Sequence, residues 1–256
     1  MIEVSRLNYH VNSKQVLTDI STEIEPCKLT TILGPNGAGK TSLLKCLSGT
    51  INNFSGTVKY NNRNIKDYSL HELSTFRAVL SQSNPVSFPF SVLEIVLMGR
   101  NPFKEMSNSN QDHEIATEAL NIVDALHLKD RVFPTLSGGE QQRVQLARIL
   151  TQLWNINNSI LFLDEPTSAL DLKHQHEVLE TVKSLTIENN MTVVCILHDL
   201  NLAAYYSDKT ILMLEGKLFS NGETNQILTE NNIEEVYNLP VEMIRKFHFN
   251  QNHINC

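Results

Sequence analysis

Leu29-Thr30-Thr31-Ile32-Leu33-Gly34-Pro35-Asn36-Gly37-Ala38-Gly39-Lys40-Thr41 is a short apolar stretch that runs into a glycine loop, and Ser42-Leu-Leu-Lys-Cys-Leu-Ser48 continues it at helical spacing up to Gly49. Strand, loop and helix follow in that order. The loop matches G-x-x-x-x-G-K-[ST] at each fixed position, a coincidence expected in roughly one chain of this length in a hundred from average residue usage. Small residues allow the backbone of 34–39 to curl around phosphate oxygens, so that its N–H groups and the helix N-terminus face the anion. Lys40 is expected to reach the β- and γ-phosphates of a nucleotide, Thr41 to ligate Mg2+, and Ser42 to complete the contact set. An ordinary glycine turn is the plain alternative, but the strand before and the helix after are the context the motif requires.

Two further apolar strands end in chemistry. Ile160-Leu-Phe-Leu-Asp164-Glu165 finishes in adjacent carboxylates, which are costly at the tip of a buried strand unless ions or water satisfy them. Asp164 is expected to hold Mg2+ through water and Glu165 to orient an attacking water, because phosphoryl transfer needs positioning and charge neutralisation more than covalent help. A solvated loop acid pair is the alternative. His198 follows Val193-Val-Cys-Ile-Leu197 and is expected at the same sheet edge, where an imidazole can donate to a γ-phosphate oxygen. A lone histidine at a strand end is usually structural; the glycine loop and the acid pair give this one its meaning.

A second anion-binding pattern stands apart from the first. Leu136-Ser137-Gly138-Gly139-Glu140 precedes the helical run Gln141-Gln-Arg-Val-Gln-Leu-Ala-Arg-Ile-Leu150. Ser137 can cap that helix while its free N–H groups and positive end attract an anion. The glycine loop already serves one helix N-terminus, so this one is expected to take the γ-phosphate of a second copy's ATP. Alone, it would pass for a capped helix with a glycine turn.

The bulk numbers narrow the class. The chain has 256 residues, 41% of them apolar, with net charge −7. No dense Lys/Arg block is present, so attraction to nucleic acid or anionic lipid through counterion release is not expected. The N-terminus lacks a charged-then-apolar leader, and no stretch approaches the roughly 20 apolar residues of a membrane span. A cytosolic protein that reaches the membrane through another chain is the expectation. Cys27, Cys46, Cys195 and Cys256 lie far apart with no C-x-x-C pair and read as reduced thiols.

Along the chain, residues 1–33 alternate apolar and polar as short antiparallel strands do (Ile2, Val4, Leu7; Leu17, Ile20, Ile24). Residues 51–83 return to strand patterning around a helix-like Ser69–Phe76. From Ser91 to about Leu153 the pattern is helical, with apolar positions at Ile115, Ala119, Ile122, Val123 and Leu126. Strands resume at Ile160–Leu163 and Thr192–Leu197, each followed by a helix as in a parallel sheet with crossover connections. A strand-turn-strand at 210–219 then leads to a helical tail.

The ordered set resembles an ATP-binding-cassette ATPase, and the resemblance covers nearly the whole chain. It implies an α/β fold: a P-loop NTPase core with a mostly parallel sheet, an N-terminal antiparallel β-subdomain and an inserted helical subdomain at about 84–158. The cassette would span 1–242, leaving 243–256 as a poorly ordered tail. On this resemblance Gln82 matches the glutamine that senses Mg2+ and the attacking water, Tyr9 sits where an aromatic ring stacks on adenine, and Ser168-Ala169-Leu170-Asp171 matches the loop crossing a dimer interface. Every diagnostic residue is present, which implies turnover of ATP.

Within that family the attachment decides the kind. Lys40 and Ser137 are 97 positions apart, which leaves room for the helical subdomain and no long coiled-coil insertion. A separate ATPase subunit of a bacterial importer fits best. It would act as a homodimer on the cytoplasmic face of the inner membrane, with two polytopic permease subunits and an extracytoplasmic haem-binding protein. Gln152-Leu-Trp154, Asn155–Ser159, Ser168–His176 and Leu197–Ala204 are similar to the haemin-import ATPases of the iron-siderophore and cobalamin importer group. A siderophore or cobalamin importer is the near alternative, and a soluble cassette acting as a clamp or scaffold on DNA or in iron-sulfur assembly the distant one. His174 and His176 would point about 200° apart on a helix, so neither they nor His248 and His253 are expected to bind metal.

Overall fold

The computed structural model describes residues 1–81, 88–104, 108–240 and 242. The expected tail at 243–256 lies outside them. The chain divides into two compact units, Met1–Asp67 with Thr192–Cys256, and Tyr68–Met191.

The first unit opens with β1 (Ile2–Val11) and β2 (Lys14–Ile24), an antiparallel hairpin whose Val11 and Lys14 face each other across two residues. Asn12 takes the left-handed backbone (φ 54°) that this tight turn demands and that asparagine tolerates. Ile2, Val4, Leu7, Leu17, Ile20 and Ile24 are buried, as the alternation predicts. Next come β3 (Leu29–Leu33), α1 (Lys40–Leu47), β4 (Ser55–Tyr60) and the two-residue β5 (Arg63–Asn64). β4 and β5 join the hairpin in the antiparallel sheet β2-β1-β4-β5, and Tyr60 Oη donates to the Leu47 carbonyl at the end of α1.

The second unit contains α2 (Leu70–Phe76), β6 (Arg77–Leu80), α3 (Val92–Leu97), α4 (Ser109–Ile122), α5 (Gly138–Gln152), β7 (Ile160–Asp164) and α6 (Leu172–Glu188). β6 and β7 pair in parallel, Arg77 opposite Ile160. α2, α3 and α5 each begin with a serine and carry glutamate at the third helical position, and all three form the full reciprocal capping box. One expectation needs correcting: the apolar pattern runs on through Val123 and Leu126, yet α4 stops at Ile122. Asp124 is left-handed there (φ 50°), and the chain passes through 3-10 turns at Leu126–Leu128 and Phe133–Thr135 before α5. Gly99 allows the 3-10 stretch Met98–Phe103 to lie on α5, since a Cβ there would come within 2.2 Å of the Arg148 carbonyl. Arg100 fixes that stretch by pairing with Asp112 of α4 at 2.7 Å and donating to Thr151 O.

The chain returns to the first unit through β8 (Thr192–Ile196), α7 (Leu200–Tyr206), β9 (Lys209–Leu214), β10 (Lys217–Glu223), α8 (Thr224–Ile227) and α9 (Glu230–Tyr237). β3 lies between β8 and β9, parallel to both, and β10 runs antiparallel along β9. Every residue of β3 and β8 is buried, which is the mark of strands covered on both faces. No helix among the described residues is long and apolar enough to cross a membrane. Cys46 is a free thiol, and burial pushes it up to about 12.

Candidate functional site

In the first unit, β3 delivers the chain directly into the glycine loop. Gly34 (φ 146°) passes so close to β9 that a Cβ would sit 2.3 Å from the Met213 carbonyl. Gly39 (φ 95°) is the N-cap of α1, where a Cβ would press on Leu17 and the Val16 carbonyl at 2.9 and 3.2 Å. These two positions require glycine. The loop is strapped in place by Gly216 N donating to Ala38 O and Thr18 N donating to Gly216 O. Lys40 is buried, and its ammonium donates to the carbonyls of Gly34 at 2.8 Å and Pro35 at 3.1 Å.

No side chain caps α1. Its first-turn N–H groups therefore stand beside a buried ammonium and an open face at Asn36 and Gly37, a donor set that suits phosphate oxygens. Thr41 and Ser42 follow in the first turn, half-buried. His198 is exposed two residues beyond β8, and because β8 runs parallel to β3 it leaves the sheet at the edge where the loop does. Tyr9 is half-buried on β1 opposite Leu17, the residue that touches Gly39. Tyr237 of α9 hydrogen-bonds the Gly34 backbone, although burial pushes its hydroxyl up to about 12.

In the second unit, β7 is buried along its length and ends at Asp164. Glu165 then takes a left-handed backbone (φ 55°), a conformation that costs a non-glycine residue about 1 kcal/mol. Its carbonyl accepts three hydrogen bonds: from Ser168 N (3.3 Å), Ser168 Oγ (3.1 Å) and Gln142 Nε2 of α5 (3.0 Å). The other end of the Gln142 amide accepts from Ala169 N at 3.3 Å. Ser168 and Ala169 are exposed, Leu170 is buried, and Asp171 caps α6 by accepting from His174 N.

The Ser137–Gly139 turn sits against this loop. A Cβ on Gly139 would lie 3.1 Å from the Ala169 carbonyl and 3.4 Å from Leu170, and one on Gly138 would face open space but for Ala169 at 3.8 Å. Second-unit geometry thus brings Leu136–Glu140, Glu165 and Ser168–Asp171 together. The expectation that Ser137 merely caps a free anion-binding end is incomplete. Glu140 reaches back to Ser137 N at 2.7 Å and Ser137 Oγ at 2.8 Å. The Ser137 backbone N–H, then its hydroxyl, hold this carboxyl below its usual value, so the turn carries a negative charge. Asp171 is likewise lowered, by the His174 backbone N–H and then its ring.

Gln82 lies outside the described residues. His174 bonds Asp171, His176 is exposed, and the described residues contain no metal-binding cluster. Sequence reading missed Gln142, whose side chain has no motif to announce it; the Glu140 contact had a signal, the S-x-x-E spacing of a capping box. A cavity of about 380 Å³ opens against Arg143, Leu146, His174, Glu177 and Val178. It includes neither the glycine loop nor the acid pair, so it is not the nucleotide site.

The family model described as ABC transporter matches residues 17–168, from β2 through the glycine loop, the Ser-Gly-Gly turn and the acid pair. The chain belongs to the ABC transporter family. This cassette is 41% identical to the hemin import ATP-binding protein HmuV of Escherichia coli O157:H7 over 96% of its own length and 95% of that protein's. It is 42% identical to the corresponding protein of Hahella chejuensis over 93% and 92%. Among solved structures, the cassette resembles an inward-facing metal-chelate type ABC transporter with TM-score 0.78 at 30% identity, over 93% of this chain and 89% of that one. It is an ATP-binding ATPase whose hydrolysis is coupled to transport.

Proposed function

We propose that the cassette drives import of haemin across the inner membrane, as the ATPase subunit of a complex with two permease subunits and an extracytoplasmic haem-binding protein. The observation carrying the cargo is that four relatives, 39–42% identical over nearly their full lengths, are hemin import proteins. Residues 1–242 form the cassette, with a helical subdomain at about 84–158. Two copies associate head to tail at the cytoplasmic face. The loop of one, Gly34–Ser42, holds ATP against Ser137–Gly139 of the other, and Ser168–Asp171 lies along the interface.

Tyr9 stacks on the base, the first-turn N–H groups of α1 hold the phosphate oxygens, and Lys40 turns from the loop carbonyls to the β- and γ-phosphates. Thr41, Asp164 and Gln82 are the residues that would hold Mg2+; when bound, the ion neutralises charge on the phosphate oxygens. Glu165 orients the attacking water and His198 donates to the γ-phosphate. The uncapped N-terminus of α1 beside the buried Lys40 ammonium supports this assignment. Closure of the dimer around ATP and its reopening after hydrolysis give direction through the different ATP affinities of the two states.

Reconstitution with the permease tests the cargo. Haemin delivered by its binding protein raises ATP turnover and accumulates in vesicles; stimulation by a ferric siderophore or cobalamin instead reassigns the importer within its group. Co-purification of DNA or iron-sulfur assembly proteins in place of a permease would move it to the clamp or scaffold class. At the site itself, Glu165→Gln retains ATP, traps the dimer and lowers turnover by orders of magnitude. Near-normal hydrolysis by that variant overturns the assignment.

A further inference from the structure

We propose that Gln142 is a positioning residue for hydrolysis, acting on the glutamate of its own chain. The inference rests on the reading of Glu165 as the residue that orients water. Glu165 is one of few non-glycine residues held in left-handed backbone in the second unit, and it is the one that bears the reaction. Two of the three hydrogen bonds to its carbonyl come from Ser168, three residues along the same loop, and so move with it. The third comes from Gln142 on α5, a separate element, and anchors the loop to a fixed frame.

The same amide also accepts from Ala169 N. A primary amide is the side-chain group that can donate at one end and accept at the other over this distance. Gln142 therefore clamps both sides of the loop that carries Glu165 on one side and the interface residues on the other. It lies four residues beyond Gly138, on the helix whose first turn is the Ser-Gly-Gly element. A displacement of the carboxylate by about 1 Å is enough to lower a rate by about a hundredfold, and α5 fixes Glu165 only through this amide among the hydrogen bonds to its carbonyl described above.

Gln142→Glu is the informative variant. It preserves size and the acceptor for Ala169 N but replaces the donor with an oxygen facing the Glu165 carbonyl. The expected result is a fall in kcat of about ten- to a hundredfold, with KM for ATP within about twofold. Gln142→Lys, which restores a donor, outpaces Gln142→Leu by about tenfold in kcat; equal rates for those two overturn the proposal whether or not Gln142→Glu folds.

Mixed dimers separate positioning from general damage to α5. Pairing a Gln142→Glu chain with a Glu165→Gln partner leaves a single competent glutamate, on the chain that lacks Gln142, and single-turnover cleavage there slows by about ten- to a hundredfold. Placing both substitutions on one chain beside a wild-type partner leaves the glutamate with an intact Gln142, and that dimer cleaves its one competent ATP at close to the wild-type single-turnover rate. The reverse ranking would place the effect at the partner's ATP and overturn the proposal. If Glu165→Gln is inactive and Gln142→Glu turns over normally, Gln142 has no positioning role while the reading of Glu165 stands; if Glu165→Gln is itself active, that reading fails first.

Discussion

Glu140 is where one atom changes the electrostatics of a site. Its carboxylate completes the capping box with Ser137 and so stabilises α5, but it also places a negative charge at the turn proposed to meet a partner's γ-phosphate. Glu140→Gln preserves an acceptor for Ser137 N and removes the charge. It should lower the KM for ATP several-fold at low salt, with the advantage shrinking as ionic strength rises; an unchanged KM would mean that this turn does not approach the nucleotide. Gly39→Ala runs the other way, because both its φ of 95° and the 2.9 Å approach of Leu17 forbid a side chain. Loss of about 1–3 kcal/mol in urea unfolding, with ATP affinity lowered, is the expected outcome. At this scale the glycine loop was legible because each of its residues has a fixed duty. Gln142 was not, since its partners are backbone atoms 23 and 27 residues away and leave no mark on the spacing.

Elements were legible where the apolar period is long and the ends carry punctuation. Ser69, Ser91 and Ser137 start helices as their S-x-x-E spacing implies, and β3 and β8 read as buried strands from continuous apolar runs. The end of α4 was hidden, because the buried Val123 and the half-buried Leu126 keep the helical period although Asp124 has already turned the backbone left-handed. Gln152 offers a related lesson. It belongs to the Gln-Leu-Trp pattern that resembles haemin-import ATPases, yet its amide donates to Ser74 O at 2.8 Å and Arg77 O at 3.0 Å, tying the end of α5 to α2 and β6. Gln152→Leu should cost about 0.5–1.5 kcal/mol by removing these two hydrogen bonds, measurable as a lowered urea midpoint. The cargo that stimulates turnover should not change.

Across the whole molecule, charge pairs set the pH range of the fold. Glu25 is lowered chiefly by its bond to Lys209 and then Lys28; Glu94 and Glu140 are lowered by their capping serines, and Asp171 by His174. Each of these groups has a folded pKa below its unfolded one, so each stabilises the fold above about pH 4.5 and loses that contribution as pH falls through the folded value. Lys209 is raised by Glu223 and then Glu25, so its share is present below pH 10.5 and is lost as pH climbs through the raised value. Melting temperature should therefore plateau around neutrality and fall on both sides. Lys209→Met should remove about 0.5–1 kcal/mol, since both carboxylates are half-exposed, and flatten both limbs of that profile. The start of α1, which no side chain caps, has a consequence of another kind: at the proposed site the nucleotide would serve as the helix cap, so affinity and folding would draw on the same bonds. At a hundred times its dissociation constant ATP should add about 2.7 kcal/mol to stability, measurable as a raised melting temperature. A cassette starved of ATP would then be a looser protein as well as an idle one.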